Sequence, residues 1–383
     1  MRLAEPRDGG RLKVNKKVIP FSFWPTKVGI KGNASLQPLL FSLDPWAIID
    51  LVIKESCPAS SKSEALACMA QAKDFYESAT EAGKVSAKPL SLYYCLMNLV
   101  KAFCLTRGTQ LTFDKAQHGL SEKLRAPSNR ELIDAFLQAF PSPNSNGALQ
   151  NYSEFMSALT GSGLSSQMDY SLPVLLPQIL PGHRLWSHGS AKKERFIAIH
   201  DIRPMLDKST GSIWLNAYFI SDDLTRLSVT HSELLSLSGL SADFAQVTCN
   251  DKDSEGRKVI CFEQRNPIIC ASRKYANHLQ ELVDVLKNKL WTTVSTIPPY
   301  RRYYVYLCPS SESNQVVHQL LSIYAISYYL GSITRYRPHH FPSITDGSFG
   351  PRIQDFVTGQ PLQFLYLIAS EFAKQEIARP SII

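Results

Sequence analysis

KPLSLYYCLMNLVKAFCLTRG, at residues 88–108, predicts a helix that starts at a lysine–proline pair and ends at a glycine. Apolar side chains cover two adjoining faces of this helix: Leu92, Cys95, Leu96, Leu99 and Phe103 on one, and Tyr93, Met97, Val100 and Cys104 on the other. A narrow polar stripe remains, formed by Ser91, Tyr94, Asn98 and Lys101. A helix that is apolar over most of its circumference is buried. The stripe therefore needs partners inside the protein, because an unpaired buried lysine or amide is costly.

The segments on either side of this helix alternate between helical and strand-like patterns. We expect further helices at 44–56, with Asp44 as the N-cap, and at 61–83, 129–140, 273–291, 311–336 and 360–378. Residues 107–129 have the composition of a polar loop. Strand-like runs, such as GSIWLNAYFIS and RKVICFEQR, occupy 193–270, and RRYYVYLCP follows at 301–309. The sequence predicts an α+β fold, with helix-rich N- and C-terminal parts packed around a central antiparallel β-rich region.

The same patterns divide the chain into five regions. We expect a basic, partly extended leader at 1–40, an N-terminal helical region at 41–140, a Ser/Pro/Gly-rich connector at 141–192, a β-rich middle region at 193–310 and a C-terminal helical region at 311–383.

Positive charge is concentrated at the amino terminus. Residues 1–31 hold eight Lys and Arg against two acidic residues, a net charge of +6, which leaves +2 of the total of +8 for the rest of the chain. The basic residues are Arg2, Arg7, Arg11, Lys13, Lys16, Lys17, Lys27 and Lys31. A basic arm of this kind binds phosphates by releasing counterions, or is simply a solvated leader. Both interpretations remain open.

The cysteines and the apolar segments indicate a cytosolic protein. Eight cysteines are scattered along the chain and never form a CxxC pair, which does not suit a disulfide framework. The amino end carries charge where an export signal would be apolar. The longest apolar runs, at 91–100 and 320–333, are too short to span a bilayer. We therefore expect a cytoplasmic location without membrane association.

Motifs for catalysis, metal binding and cofactor binding fail in this sequence. No P-loop or nucleophile elbow is present, and the calcium-like loop at Asp251 has Phe262 in place of the twelfth-position glutamate. Arg195 and His200 have the spacing of HEPN-type ribonucleases, but the residues between them alternate as in a strand. His183 and His188 follow a Pro-Gly pair that predicts a loop. We expect no metal and no cofactor.

SITRYRPHHFPS, at residues 332–343, combines two arginines, a tyrosine and two histidines at the end of a predicted helix. Helical spacing brings Arg335 onto the face of Tyr324 and Tyr328, in the last turn, where a cation suits the helix dipole. Pro338 disfavours helical geometry at Arg337 and ends the helix. Most of the cluster therefore has a structural explanation, and Arg335 is the residue that merits a test.

Two of these stretches together resemble the signatures of the YaaC-like bacterial proteins. In that family a Lys-Pro-initiated helix with aromatic pairs is followed by a His-Gly turn, and a late helix ends in an Arg-Tyr-x-Pro corner. The matching residues here are Lys88, Pro89, Tyr93, Tyr94, Lys101, Ala102, His118, Gly119, Arg335, Tyr336 and Pro338. The resemblance spans residues 40–380, apart from the insert near 141–192. It implies a shared fold and a bacterial cytosolic setting, but no catalytic mechanism.

Seven polar residues are the candidates for ligand binding: Tyr94, Asn98, Lys101, His118, Arg335, Tyr336 and Arg337. We favour a non-catalytic binding or accessory protein that engages a phosphate-bearing ligand, a nucleotide or a nucleic acid. One alternative is a HEPN-like nuclease of an antiphage or conflict system, with His118 and Lys101 as acid–base groups. Another is a scaffold or regulator with a protein partner or a homo-oligomeric assembly. The sequence does not decide whether the protein is an enzyme, and it assigns no catalytic residue.

Overall fold

Short strands are the regular elements in the described part of residues 3–41. The computed structural model describes residues 3–14, 16–28, 34–37, 39–124, 134–271 and 274–381. The first strands are β1 (Gly10–Arg11), β2 (Lys13–Val14), β3 (Lys17–Val18), β4 (Thr26–Val28), β5 (Ala34–Leu36) and β6 (Leu40–Phe41). Arg7, in front of β1, donates to the Glu263 carboxylate at 2.9 Å, so this part of the basic segment has a defined place in the fold.

The next stretch is mainly helical. Its elements are α1 (Pro45–Ser56), α2 (Lys62–Glu81), α3 (Lys88–Arg107), β7 (Ala116–Gln117), β8 (Leu120–Leu124), β9 (Ala135–Ala139), β10 (Leu149–Gln150), α4 (Asn151–Thr160), β11 (Met168–Ser171), α5 (Leu172–Leu175) and α6 (His183–Ser190). The Asp44 side chain accepts from the backbone N–H groups of Trp46 and Ala47, with Pro45 at the first helical position, as the sequence predicts.

The middle of the chain is rich in strands. Its elements are β12 (Phe196–Ala198), β13 (Asp201–Asp207), β14 (Ser212–Ile220), α7 (Ser221–Leu227), α8 (His231–Leu237), β15 (Phe244–Val247), β16 (Val259–Gln264), β17 (Ile268–Ile269), α9 (Leu279–Asp284), β18 (Leu290–Val294) and β19 (Arg301–Tyr306). The carboxy-terminal part follows with α10 (Gln319–Tyr336), α11 (Phe341–Thr345), α12 (Gly350–Ala373) and β20 (Ile377–Ala378).

The chain divides into two compact units. We call residues 1–41, 195–311 and 374–383 the sheet unit, and residues 42–194 and 312–373 the helical unit. The sheet unit is built on an antiparallel sheet in the order β1-β13-β14-β16-β15, with β17 also pairing to β14, and on a second antiparallel sheet in the order β12-β19-β18. Eight of the nine residues of β14 are buried, as expected of a central strand covered on both faces. The predicted α+β class and its antiparallel sheet are confirmed.

Helix α3 is the central element of the helical unit and packs against α2, α4, α10 and α12. Twelve of its residues are buried, as the apolar pattern predicts. Gly331 of α10 lies where α10 crosses α3, and a Cβ atom there would be 2.9 Å from the Tyr93 Cβ. The segment Val85–Arg107 is long and apolar enough to cross a membrane, but 67% of its most apolar window is buried inside the protein. Such burial is typical of a helix in the core of a globular protein.

The expected helix at 129–140 is wrong over its described part, since residues 135–139 form β9; residues 129–133 lie outside the described residues. Alternate side chains of β9 are buried at Ala135, Leu137 and Ala139, and the strand pairs with β8 and β11. Pairing with neighbouring strands overrides the local helical propensity here. The expected polar loop at 107–129 likewise contains β7 and β8, paired with β10 and β9.

Other element boundaries also differ from the sequence prediction. His183 and His188 lie on α6, not in a loop, because Gly182 adopts a left-handed φ of +90° and the helix starts immediately after it. The helix expected at 273–291 shrinks to α9, and its end becomes β18, which pairs with β19. The helix expected from 311 begins at Gln319, after a 3-10 turn. The last helix starts ten residues earlier than expected and ends at Ala373, so that Ile377 and Ala378 pair with β6.

Candidate functional site

Part of the polar stripe of α3 is paired within the helical unit. Asn98 is 3% exposed, and its side-chain amide donates to the Gln71 Oε1 of α2 at 3.0 Å. The Ser91 hydroxyl lies 3.2 Å from the Ser78 hydroxyl, also on α2. These contacts join two helices and use the polar groups that burial would otherwise leave unsatisfied. Asn98 is therefore a structural residue in this fold.

Tyr94, in the same stripe, connects α3 to the end of α10. Its ring stacks on Phe75 of α2, with the centroids 5.3 Å apart. Its hydroxyl accepts a hydrogen bond of 2.5 Å from the Arg335 Nη1. Arg335 is exposed and also lies over the Tyr336 ring, with its Cζ 4.9 Å from the centroid. Among the described residues, no carboxylate forms an ion pair with Arg335.

His118 is placed by the turn that precedes β8. Gly119 has a φ of +76°, and a Cβ atom there would be 3.0 Å from the backbone nitrogen of Tyr152, so this turn requires glycine. The His118 Nδ1 lies 2.6 Å from the Tyr93 hydroxyl, which is itself 3.4 Å from the Tyr324 hydroxyl. The His118 ring also packs against Tyr328, at 5.7 Å between centroids. A chain of aromatic contacts thus connects His118 with the α3–α10 crossing.

The protonation states in this cluster follow from burial and charge. Burial, then the charges of Arg335 and Lys101, lower the pKa of His118 below its ordinary value of 6.5, against an opposing effect of Glu122. Burial also raises the pKa of Tyr93 well above its ordinary value of 10. Both groups are therefore neutral at pH 7. In the tautomer in which Tyr93 donates to Nδ1, the Nε2 of His118 carries a proton and is a hydrogen-bond donor.

Lys101 lies two helical turns beyond Tyr94 on the same side of α3. It is half-buried, and in the described part of the chain it has no hydrogen-bond or ion-pair partner. Its charge acts both on His118 and on the Cys68 thiol of α2. Two cations without acidic partners, Lys101 and Arg335, therefore influence the same histidine.

Arg337 has a different environment, although it is only two residues from Arg335. Its Nη2 forms an ion pair of 3.2 Å with the Glu122 Oε1, and the Tyr328 hydroxyl donates to the Glu122 Oε2 at 3.3 Å. The Glu122 side chain is 12% exposed, so its charge is compensated locally by Arg337. Sequence reasoning missed Glu122 because it placed this segment in a loop. The signal that could have found it is the Leu-x-Glu-x-Leu alternation at 120–124.

Side-chain contacts thus connect Tyr94, His118, Arg335 and Tyr336 in the structure, whereas Lys101 is linked to them only by its charge and its place on α3. We define the cationic site as Tyr94, Lys101, His118, Arg335 and Tyr336, of which Tyr336 is 62% exposed. Asn98 points instead to α2, and Arg337 to Glu122. The arrangement offers two cations, one neutral imidazole and one exposed aromatic ring. Chemically, it can attract an anion and stack a planar group.

The two other histidine motifs in the sequence, Arg195/His200 and His183/His188, lie outside the cationic site. Arg195 and His200 flank β12, as the strand pattern predicts, and therefore do not share a helix. His183 is buried, with its Nδ1 2.9 Å from the Pro177 carbonyl oxygen and its ring stacked on Trp186. Within the described ranges, no group of three or more His, Cys, Asp or Glu side chains is arranged to hold a metal ion.

These features define a two-unit α+β protein with a cationic, aromatic site on its helical unit. The profile of the YaaC-like protein family matches residues 34–372, and the chain belongs to this family. The family membership expected from the lysine–proline helix and the Arg-Tyr corner is confirmed. No curated protein matches the chain. No solved structure matches it either.

Proposed function

We propose that this YaaC-like protein is a non-catalytic binding or accessory protein that takes up a phosphate-bearing ligand at the cationic site. The observation that carries the proposal is the contact chain from Arg335 through Tyr94 and Tyr93 to His118. It joins an exposed guanidinium to a neutral imidazole, and the half-buried Lys101 lies on the same helix as Tyr94.

The charge balance around these residues supports an anionic ligand. Arg337 has a carboxylate partner, whereas Arg335 and Lys101 have none among the residues that the structure describes. Structural cations are usually paired when they are partly buried. Arg335 is held by aromatic contacts but has no counter-charge in the described part of the chain, so it is available to phosphate oxygens, which an arginine binds in a bidentate manner.

The ring of Tyr336 favours a nucleotide among phosphate-bearing ligands. It is exposed, and the Arg335 guanidinium lies over it. An exposed tyrosine beside a phosphate-binding arginine can stack a base while the guanidinium contacts the phosphates. The neutral His118 adds a hydrogen bond that depends on its tautomer.

Calorimetric titration of the full-length protein at low salt, with pyrophosphate, GMP and ATP as probes, tests the proposal. We expect Arg335→Ala and Lys101→Ala each to weaken binding by about ten- to a hundredfold, since a hydrogen bond to a charged group contributes about 1.5–3 kcal/mol. Lys192→Ala is the matched control, because Lys192 is an exposed lysine just after α6 whose side chain has no hydrogen-bond or ion-pair partner among the described residues.

Two results would contradict the proposal. One is that none of the three probes binds the wild-type protein at low salt, where phosphate contacts are strongest. The other is that Arg335→Ala and Lys101→Ala only lower the melting temperature, with binding unchanged. That second pattern is the one expected of a scaffold.

A nuclease activity is the second candidate function, and the neutral His118 beside two cations is the observation that favours it. A neutral imidazole can accept a proton, while Arg335 stabilises charge on a phosphate. Incubation of the protein with labelled RNA and DNA measures cleavage directly. Cleavage that His118→Gln abolishes would establish the enzyme, and cleavage that survives in this variant would remove His118 from the assignment.

We place this function in the cytosol. The described chain holds eight free cysteines, of which five are buried. Reduced, buried thiols suit a reducing compartment.

A further inference from the structure

The sheet unit contains a cavity of about 410 Å³ whose lining shares no residue with the cationic site. Its apolar lining includes Val18, Pro20 and Pro204, and its charged lining consists of Arg11, Asp201 and Arg203. The volume lies in the range of about 300–1,000 Å³ that is typical of small-molecule pockets. A volume of this size can accept one planar, nucleoside-sized group.

Two arginines and one aspartate form the charged lining of this cavity. Asp201 accepts from Arg11 and, at 2.7 Å, from the Arg203 Nε, so that one carboxylate serves two guanidinium groups. Arg203 also reaches the exposed Asp251 at 3.5 Å. The Arg203 Cζ lies 4.0 Å from the centroid of the Tyr218 ring, which holds the guanidinium plane in place. Arginine planes of this kind are stacking surfaces for bases.

A lysine-rich hairpin forms one wall of the cavity. Strands β2 and β3 pair Val14 with Lys17 and Lys13 with Val18, and Val18 is itself a lining residue. Lys13, Lys16 and Lys17 are all exposed. In the part of the chain that the structure describes, none of the three has an acidic partner. The hairpin that contributes Val18 to the cavity therefore carries three exposed lysines without acidic partners among the described residues.

We propose that this cavity and the β2–β3 hairpin form a binding site for single-stranded nucleic acid, in which one base enters the cavity and the flanking phosphates contact Lys13, Lys16 and Lys17. A base stacked in a duplex cannot enter such a cavity, whereas an unpaired base can be splayed out. Positive grooves with stacking surfaces bind single strands with little sequence preference. The site lies within the sheet unit and does not use Arg335 or Lys101.

Fluorescence anisotropy with the full-length protein tests this site. The probes are a labelled twelve-nucleotide uridine RNA, the matching thymidine DNA, a duplex of the same length and an abasic strand with the same number of phosphates. We expect both base-containing single strands to bind at least fivefold more tightly than the abasic strand and the duplex. The comparison of RNA with DNA shows which sugar the site prefers.

The double variant Lys16→Ala/Lys17→Ala should bind the single strands about tenfold more weakly at low salt. Loss of two phosphate contacts should also reduce the slope of log K against log salt by about 1.4, at about 0.7 for each contact of a single strand. Lys208→Ala/Lys274→Ala is the matched control, because it removes two exposed lysines of the same unit that lie outside the β2–β3 hairpin. This control should bind as the wild-type protein does.

The proposal is overturned if the wild-type protein does not bind the single strands, if the abasic strand binds equally well, or if both double variants weaken binding equally. The two proposed sites share no residue. Failure of the nucleotide titrations at the cationic site therefore does not affect this test, and failure here leaves the cationic site in place.

Discussion

Arg335 and Arg337 show how two neighbouring arginines acquire different roles. The Arg337 guanidinium forms an ion pair with the Glu122 carboxylate. The Arg335 guanidinium instead donates to the Tyr94 hydroxyl and lies over the Tyr336 ring. The helix dipole accounts for cations at this helix end in general, and it does not distinguish the two residues. The two arginines differ because strand β8 carries Glu122, whose carboxylate pairs with Arg337.

His118 predicts a measurable pH dependence of stability. Its pKa is lowered in the folded protein by burial and by Arg335 and Lys101, so the unfolded chain takes up the proton first as the pH falls. Its contribution to stability is therefore complete above the ordinary value of 6.5 and is lost as the pH falls through the folded pKa. We expect the free energy of unfolding to fall more steeply below pH 6.5 in the wild type than in His118→Gln.

Urea unfolding of both proteins at pH 8, 7, 6 and 5 measures this difference. Glutamine can still bond to the Tyr93 hydroxyl but does not titrate, so the comparison isolates the imidazole from the other histidines. A difference between the two proteins that stays constant from pH 8 to pH 5 would show that the pKa of His118 is not lowered in the folded state.

At the scale of elements, the crossing of α3 and α10 depends on a glycine. A Cβ atom at Gly331 would lie 2.9 Å from the Tyr93 Cβ and 3.2 Å from the Pro89 carbonyl oxygen. Neither the Tyr93 Cβ nor the Pro89 carbonyl oxygen can move without the backbone of α3, so α3 and α10 would have to separate. We expect Gly331→Ala to lower the free energy of unfolding by about 1–3 kcal/mol, the usual effect of overpacking, as measured by urea unfolding.

Gly359 of α12 provides the control for this substitution. A Cβ atom there meets nothing within 4 Å, so Gly359→Ala should raise the free energy of unfolding by about 0.5–1 kcal/mol through helix propensity alone. If Gly331→Ala were also stabilising, the close approach of the two helices would not be a constraint in solution.

The secondary-structure predictions are confirmed where an element depends on signals within a few residues. They are wrong where it depends on hydrogen bonds to strands elsewhere in the chain. The N-cap at Asp44 and the glycine that ends α3 act within a few residues, and the structure has both as predicted. Strand β9 carries a helix-like sequence, yet hydrogen bonds from β8 and β11 hold it extended. Those partners lie elsewhere in the chain, and no pattern within 135–139 reveals them.

At the scale of the whole molecule, the chain leaves the sheet unit and returns to it twice. The carboxy-terminal residues 374–383 complete a unit that begins at the amino terminus. Glu376 accepts from the Tyr303 hydroxyl and from the Phe23 backbone nitrogen, and the Ile377 carbonyl oxygen accepts from Arg301 at 2.8 Å. Both the Glu376 carboxylate and the Arg301 guanidinium are buried.

Truncation after Ala373 should therefore loosen the sheet unit. We expect faster hydrogen exchange in peptides that cover β19 and residues 21–24, because Arg301 and Tyr303 lose buried partners, which costs about 1–3 kcal/mol for each unsatisfied group. Peptides of α3 in the helical unit should keep their protection, and they are the internal control. Equal deprotection of both sets of peptides would show that the two units unfold together.

The sequence by itself determined the burial of α3, the strand-rich middle, the family and a short set of polar residues, because amphipathic periodicity and end signals act over a few residues. Only the tertiary structure decided which of those polar residues are already paired. Arg335 meets Tyr94 across a separation of 241 residues, and Arg337 meets Glu122 on a strand that sequence reasoning had placed in a loop. Such pairings depend on how helices and strands pack, and packing brings together side chains that share no local pattern.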